Sequence, residues 1–430
     1  MFRKSSPLIL FFLLSLISVS YSQSNQLLIK EGAPTVYIDC GLCDMNYIKE
    51  QVSIVNFVRD RKEADVHVLS TSQTTGSGGT DYTLYFIGQN NFAALNDTIK
   101  YTTNQTDTDD ISRAKLVKAL KMGIVRYVAR TKVSDQMDIS FTKPEQKAEI
   151  QEDDWDFWFF RTSMSGYFNG DQNYSYLNLN SSITASRTTE NTKLSFQISS
   201  YYNENRYNYD DGTTITKILN VSRNQNFNAS LIKSIDNNWS WGIWGGVSSS
   251  IYSNIRFSAY AAPGIEFNVF PYSVSNERQL RINYKLTHTF NRYDEETWYF
   301  KTAEDLWSHT LDITLSLIRP WGSISINSYG MNYLHDFNLY ELGMSGTVSL
   351  NLIKGLSLNF YGGYSKIADQ VSLRREGASL EDVLTQRRQL ETNYNFWGGF
   401  GISYSFGSIY NNIVNPRFGG SGGSTMVISM

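Results

Sequence analysis

Two cysteines, Cys40 and Cys43, stand in Asp39-Cys40-Gly41-Leu42-Cys43-Asp44, between a short apolar strand and a helix-forming stretch. Cysteines at this spacing before a helix suit thiol–disulfide exchange, because the helix N-terminus stabilises a thiolate. The same spacing suits a plain local disulfide formed after export. Asp39 and Asp44 flank the pair and disfavour a thiolate, so a local Cys40–Cys43 disulfide is the preferred reading. Two cysteines alone cannot hold a structural zinc. No Walker loop, HExxH or Gly-rich dinucleotide fingerprint occurs.

His288 and His309 fall on consecutive strand-like segments, where a serine, a histidine and an acid could in principle assemble for hydrolysis. Both sit in the apolar phase and no serine near them carries a motif, so interfacial histidines are the simpler reading. His67, within a predicted strand, reads as structural. The chain is expected not to be an enzyme. No catalytic, cofactor-binding or metal-ligating residue is assigned, and no cofactor is expected.

The charged residues with a consistent position lie opposite apolar ones. Arg256 and Glu266 alternate with the apolar row Ile255 to Val269, Arg281 and Lys285 with Leu280 to Leu286, Asp312 with Leu311 to Leu317, and Glu341 with Tyr340 to Leu350. A period of two puts one set of side chains against an apolar phase and the other against a polar one. Arg256, Glu266, Arg281, Lys285, Asp312 and Glu341 are therefore candidate lumen residues, lining a hydrated path or pairing to fill it. Lys217 and Arg223 share the phase of Ile215, Leu219 and Val221, which fits a lipid face only above the bilayer.

The elements that would hold these residues follow from the whole chain. Arg3 and Lys4, an apolar run from Leu8 to Val19 and small residues Ser20 and Ser22 predict a signal peptide over 1–22. Residues 27–141 read as an α/β domain with a helix from Ile111 to Ala129, and 142–154 as a charged linker. From 155 to 407 about twelve amphipathic strands follow, joined by alternating tight turns and longer polar links. Residues 408–430 read as a flexible Gly/Ser-rich tail. The composition agrees: 28 Tyr and 24 Phe, but only 18% charged residues. The net charge of −3 gives no basic field for nucleic acid. The fold class is an α+β periplasmic domain followed by an all-β transmembrane antiparallel barrel of about 12 strands, in the bacterial outer membrane. A large β-sandwich or an eight-stranded lipid carrier is the soluble alternative.

Three resemblances accompany this reading. Phe400, Ile402, Tyr404 and Phe406 resemble the terminal-strand signal of the bacterial barrel-assembly machinery, which implies that machinery as a partner. Here 24 residues follow Phe406. Residues 64–130, from ADVHVLSTSQ to GIVRYVAR, resemble the N-terminal domain of TolB-type periplasmic proteins, without the propeller of that family. Tyr174–Ser186 and Leu194–Tyr202 loosely resemble salt-induced outer-membrane barrels of unknown function. The cysteine pair departs from the thioredoxin family, since no proline lies between Pro34 and Pro144 to face it.

The expected function is a narrow channel for ions or small solutes, regulated by a periplasmic domain. The alternative is a filled structural or assembly barrel, embedded in outer-membrane lipids, that anchors a domain binding a periplasmic protein. An outer-membrane lipid hydrolase is the weaker alternative.

Overall fold

The computed structural model describes residues 29–41, 43–138, 153–210, 212–379, 382–383, 388–408, 410 and 412. The predicted signal peptide, most of the linker and most of the tail lie outside them.

The N-terminal part is a five-stranded sheet of β1 (Thr35–Asp39), β2 (Asn56–Phe57), β3 (Val66–Thr74), β4 (Thr80–Gly88) and β5 (Asp97–Thr103), in the order β2-β1-β3-β4-β5. β1 runs parallel to β2 and β3, and the β3-β4-β5 meander is antiparallel. Two helices accompany it, α1 (Met45–Gln51) and α2 (Asp109–Val128). α2 starts where Thr108 accepts the Ile111 amide on its hydroxyl, and Asp109 and Asp110 sit at the positive end of its dipole. Its face of Leu116, Leu120, Ile124 and Tyr127 is buried against Phe86, Val66 and Val68 of the sheet. Each such side chain contributes about 1.5–3 kcal/mol by leaving water. Gly123 lets α2 approach closely, because a β-carbon there would strike the Phe86 ring. The buried Tyr127 hydroxyl donates to Leu95 O at 2.6 Å, so its polar end is satisfied. β2 was not legible in the sequence. Its two residues carry no period, and only pairing with β1 makes them a strand.

The remainder is a twelve-stranded sheet in which every neighbour in the chain is a neighbour in space. Its strands are β6 (Trp158–Gly170), β7 (Tyr174–Thr188), β8 (Thr192–Asp210), β9 (Ile215–Ser234), β10 (Trp239–Ser250) and β11 (Ile255–Asn268). They continue as β12 (Arg278–Tyr293), β13 (Ala303–Arg319), β14 (Gly322–Tyr333), β15 (Tyr340–Ile353), β16 (Leu356–Ile367) and β17 (Tyr394–Tyr404). All pairings are antiparallel. β6 and β17 are the two edges of this ladder.

Laid flat, twelve strands about 4.8 Å apart would be about 55 Å wide, more than twice the width of five. Yet the small domain reaches both edges. Gly78 lies against the Phe159 ring at the start of β6, and Arg59 donates to Phe406 O (2.7 Å) and Gly407 O (2.9 Å) just past β17. The sheet must therefore curl to bring its edges over one small domain. Its twelve strands form a barrel wall, with the polar phase on the concave side. The convex phase is apolar and open: Phe168, Ile198, Ile243, Ile265, Leu311, Met344 and Phe396 are all exposed. Tight turns join β13 to β14 and β15 to β16 at the domain end, and the longest link, between β16 and β17, is at the other end. The expected asymmetry is partial, because the β11–β12 link at the domain end runs over 269–277 while the β6–β7 turn at the other end spans only 171–173.

Candidate functional site

The inner face is set by register. Glu266 pairs with Asn283, Asn283 with Asp312, and Asp312 with Tyr329. Lys285 lies opposite Gly264, Arg281 opposite Asn268, and Glu341 opposite Met331. Glu266, Arg281, Lys285, Asp312 and Glu341 thus share one face, because directly paired residues point the same way. Arg256 departs from this set. It occupies a register shift between Ile255 and Phe257, near the loop end, and is exposed. A bulge opposes two residues to one and re-aims the side chain, which a uniform period of two cannot anticipate.

Each inner charge has a polar or aromatic neighbour, and Arg281 and Glu266 pair with each other. Arg281 Nε is 3.6 Å from Glu266 Oε2, an ion pair longer than a hydrogen bond. Tyr272 donates its hydroxyl to Glu266 at 3.0 Å. Asp312 accepts from Asn327 Nδ2 at 2.8 Å and from Thr314 at 3.3 Å. Glu341 accepts from the Tyr329 hydroxyl at 2.5 Å. The Lys285 ammonium sits 4.2 Å from the centroid of Trp244, a cation–π contact. Several buried polar atoms on this face have no hydrogen-bond partner, among them Arg281 Nε, Asn283 Oδ1, Asn268 Nδ2 and Asn224 Oδ1. Such atoms are costly unless water or solute reaches them.

Large rings on the inner face lie along the wall, not across it. The Trp244 ring covers Gly242, where a β-carbon would come within 2.6 Å of it. Tyr260 covers Gly246 (2.9 Å) and Trp397 covers Gly363 (2.8 Å) in the same sense. Tyr329 lies on Gly343 and Tyr361 on Gly399. Glycine supplies the recess over which each ring lies. Sequence reading had both glycines and aromatics but not the register that sets Tyr260, Tyr329, Tyr361 and Trp397 directly opposite glycines.

Both ends of the barrel are covered. At the domain end, Arg61 donates to Pro320 O (2.6 Å) and Asn351 O (2.8 Å). Asp60 accepts the Gly355 amide, and Glu63 pairs with Lys354. Asn276 donates to the Tyr85 hydroxyl at 2.8 Å, and Gln73 to Ser275 at 3.1 Å. The segment after β17 returns to the edge of the small sheet. Tyr410 bridges Val58, and the Asn412 amide bonds Asn56 and the Phe57 amide. The tail is thus engaged at Tyr410 and Asn412.

At the loop end, the link between β16 and β17 crosses the mouth. Asn254, in the turn after β10, donates to Ser372 O and to Glu295 O, each at 3.0 Å. The Trp298 amide donates to Leu373 O at 2.8 Å, and Arg374 donates to Ile251 O at 2.8 Å. β10 and β16 are half a twelve-stranded ring apart, so this contact spans the opening. Val371 and Thr297 are buried beneath it. Burial, and then repulsion from Glu341, push the carboxyl of Asp369 up to about 6. Of the arginines in this loop, Arg375 pairs with Glu296 (2.6 Å) and Arg388 with Asp382 (3.0 Å).

The remaining candidates are placed as follows. Cys40 and Cys43 are joined by a disulfide between β1 and α1. Buried His67 is tilted against the Tyr37 ring, with centroids 5.3 Å apart, and lies 3.5 Å from Asp39. His288 contacts Asp305 at 3.1 Å and Trp307, while His309 faces Tyr284 and Phe337; both histidines are on the convex face. Phe400, Ile402, Tyr404 and Phe406 are exposed in one row at the β17 edge. Lys217 and Arg223 lie on the convex face of β9 opposite Asn208 and Tyr202, toward the loop end. There Tyr202 and Arg206 both bond Glu204, so the convex surface has already turned polar.

No protein-family profile matches the chain. No curated protein matches it. Among solved structures, it is similar to the NanC porin, with 10% identity over 57% of this chain and 99% of that one, at a TM-score of 0.26. It is also similar to CdiB from Acinetobacter baumannii, with 9% identity over 87% of this chain and 74% of that one, at a TM-score of 0.26.

Proposed function

We propose that this chain is an outer-membrane barrel that passes small polar solutes, with the N-terminal domain as a periplasmic cap and the β16–β17 link as a second closure. The apolar convex face suits bilayer hydrocarbon, and a barrel is the strand architecture that satisfies its backbone there. The observation that carries the channel reading is the packing of inner rings onto glycines, which holds those rings along the wall. Twelve strands lie between the eight that side chains fill and the sixteen that leave a channel, so ring placement decides. The row Phe400, Ile402, Tyr404 and Phe406 supports assembly-machinery recognition from the β17 edge.

The cap contacts favour regulation over an independent domain. They run from the start of β6, through the β11–β12, β13–β14 and β15–β16 turns, to the end of β17. A filled barrel anchoring a partner-binding domain is the second reading, favoured by the neighbours that engage the inner charges. Planar-bilayer conductance of the full chain and of a chain lacking residues 27–141 separates the two. Current that rises on deletion supports the gated channel. Stable insertion without current in either form would replace it with the filled barrel.

A further inference from the structure

Three cations break the apolar phase of the convex face, all on β8 and β9. The two strands pair without a shift from Thr192–Lys233 to Asp210–Ile215. Arg206 therefore shares the outward phase of Ile198, and Lys217 and Arg223 that of Phe227. The paired rows place them at the loop-end edge of the apolar wall. Phe168, Leu177, Glu204 and Val221 form one row across β6 to β9. Gly170, Ser175, Arg206 and Leu219 form the next outward row. The apolar surface of β6 and β7 thus ends at Phe168 and Leu177, and Arg206 stands one outward position beyond, about 7 Å along the strand. Lys217, opposite Asn208, stands one position farther. Arg223 falls within the apolar wall, in the row of Leu179 and Tyr202. A long side chain there runs its stem along apolar surface and carries its charge to the headgroup layer.

These cations are available. Glu204 accepts from Tyr202 at 2.6 Å and from Arg206 Nε at 2.5 Å. The carboxylate is only 14% exposed, while the Arg206 side chain remains 63% exposed. Lys217 and Arg223 are exposed and form no ion pair among the described residues. Asp210 closes β8 farther from the apolar edge, past Asn208. Convex cations at the domain end are compensated instead, Arg187 by Asp156 and Arg319 by Glu277, each at 2.9 Å. Arg206 and Lys217 are diagonal neighbours, with backbones about 7–8 Å apart. Both heads therefore reach one anion.

From this we infer that the loop-end convex face of β8–β9 binds the phosphomonoester headgroup of a membrane lipid. Arg206 offers a fork to the phosphate oxygens and Lys217 a point charge. Arg223 meets the headgroup from the hydrocarbon side, where an arginine is costly without an anion to answer it. The acyl chains lie along Phe168, Leu177 and Leu179. A zwitterionic headgroup brings its own cation and gains less here. The site rests on the outer-membrane reading of the barrel and not on solute passage.

The test is native mass spectrometry of the full chain folded in detergent, titrated with lipid A, which carries phosphomonoesters, with phosphatidylcholine and with inorganic phosphate. Lipid A is expected to bind at least tenfold more tightly than phosphatidylcholine and to resist displacement by millimolar phosphate. Arg206→Gln with Lys217→Gln should weaken lipid A binding tenfold or more. Arg223→Gln should weaken it threefold or more, and Arg223→Lys less than Arg223→Gln. Arg187→Gln, at the domain end, should leave it unchanged. Heat-modifiable gel mobility in phosphatidylcholine vesicles reads the folding of each form without lipid A. Equal binding of the two lipids, an unaltered double variant, or an equal loss in Arg187→Gln overturns the inference and leaves the barrel standing. Displacement by inorganic phosphate overturns the lipid as the source of the anion. Failure of the parent chain to fold into vesicles overturns the barrel reading and the inference together.

Discussion

Replacing Arg61 by alanine should loosen the cap without disturbing either folded part. Arg61 leaves the small domain and donates two short hydrogen bonds to the wall, at 2.6 Å to Pro320 O and 2.8 Å to Asn351 O. A hydrogen bond from a charged donor contributes about 1.5–3 kcal/mol where it is sheltered. The two share one side chain in a partly exposed site, so about 2 kcal/mol for the pair is a reasonable total. At about 1.4 kcal/mol per factor of ten, the docked-to-undocked ratio should fall roughly 30-fold. Arg59, Asp60, Glu63 and Asn276 keep their contacts, so the domain stays tethered and docking weakens without vanishing. The assay is single-channel recording of Arg61→Ala beside the parent chain. The closed fraction should drop and the open-state current should stay the same. Trypsin should also cut the small domain faster in the variant. Unchanged closed fraction together with unchanged proteolysis would refute the claim that these arginine contacts hold the cap. A changed open-state current would place Arg61 in the conduction path instead.

Three further perturbations follow from the same geometry. Gly343→Leu should drive the Tyr329 ring off its recess and toward the axis, lowering unit conductance severalfold in the inserted barrel, as read in planar bilayers. The folded-state carboxyl of Asp369 is raised from its usual range to about 6, so the docked loop favours the protonated form. That contribution is fully present below about pH 4 and lost as pH rises through about 6. Open probability should therefore increase between pH 5 and pH 7, and Asp369→Asn should flatten the response. Tyr127→Phe leaves Leu95 O and Phe86 O in the small-domain core without their donor. It should cost about 1–2 kcal/mol of that domain's stability, measured by denaturant titration of the full chain.

The barrel wall was legible in the sequence because a strand with one face in hydrocarbon and one in a polar interior must alternate, residue by residue. That rule alone places Glu266, Arg281, Lys285, Asp312 and Glu341 on one phase, and the register agrees for each. It also puts His288 and His309 on the convex face. The α2 helix was legible from its acidic start and its apolar stripe, within two residues at its start. The irregularity at Arg256 was not legible, because a bulge leaves no trace in a period of two.

What the sequence left open lies in contacts between residues far apart in the chain. The grip of Arg61 on Pro320 and Asn351, the return of Asn412 to Asn56, and the reach of Ser372 to Asn254 each join segments separated by more than a hundred residues. Polar residues at these positions look like any solvated turn until the wall curls and brings them together. The inner rings are similar. Tyr329 and Gly343 are ordinary strand residues in one dimension, and only the register that pairs them across β14 and β15 makes one the recess of the other. Local alternation is written residue by residue and survives translation into a string. Curvature, closure of the two ends and the sharing of inner space between side chains depend on which strands become neighbours and at what register, and only the tertiary structure decides that.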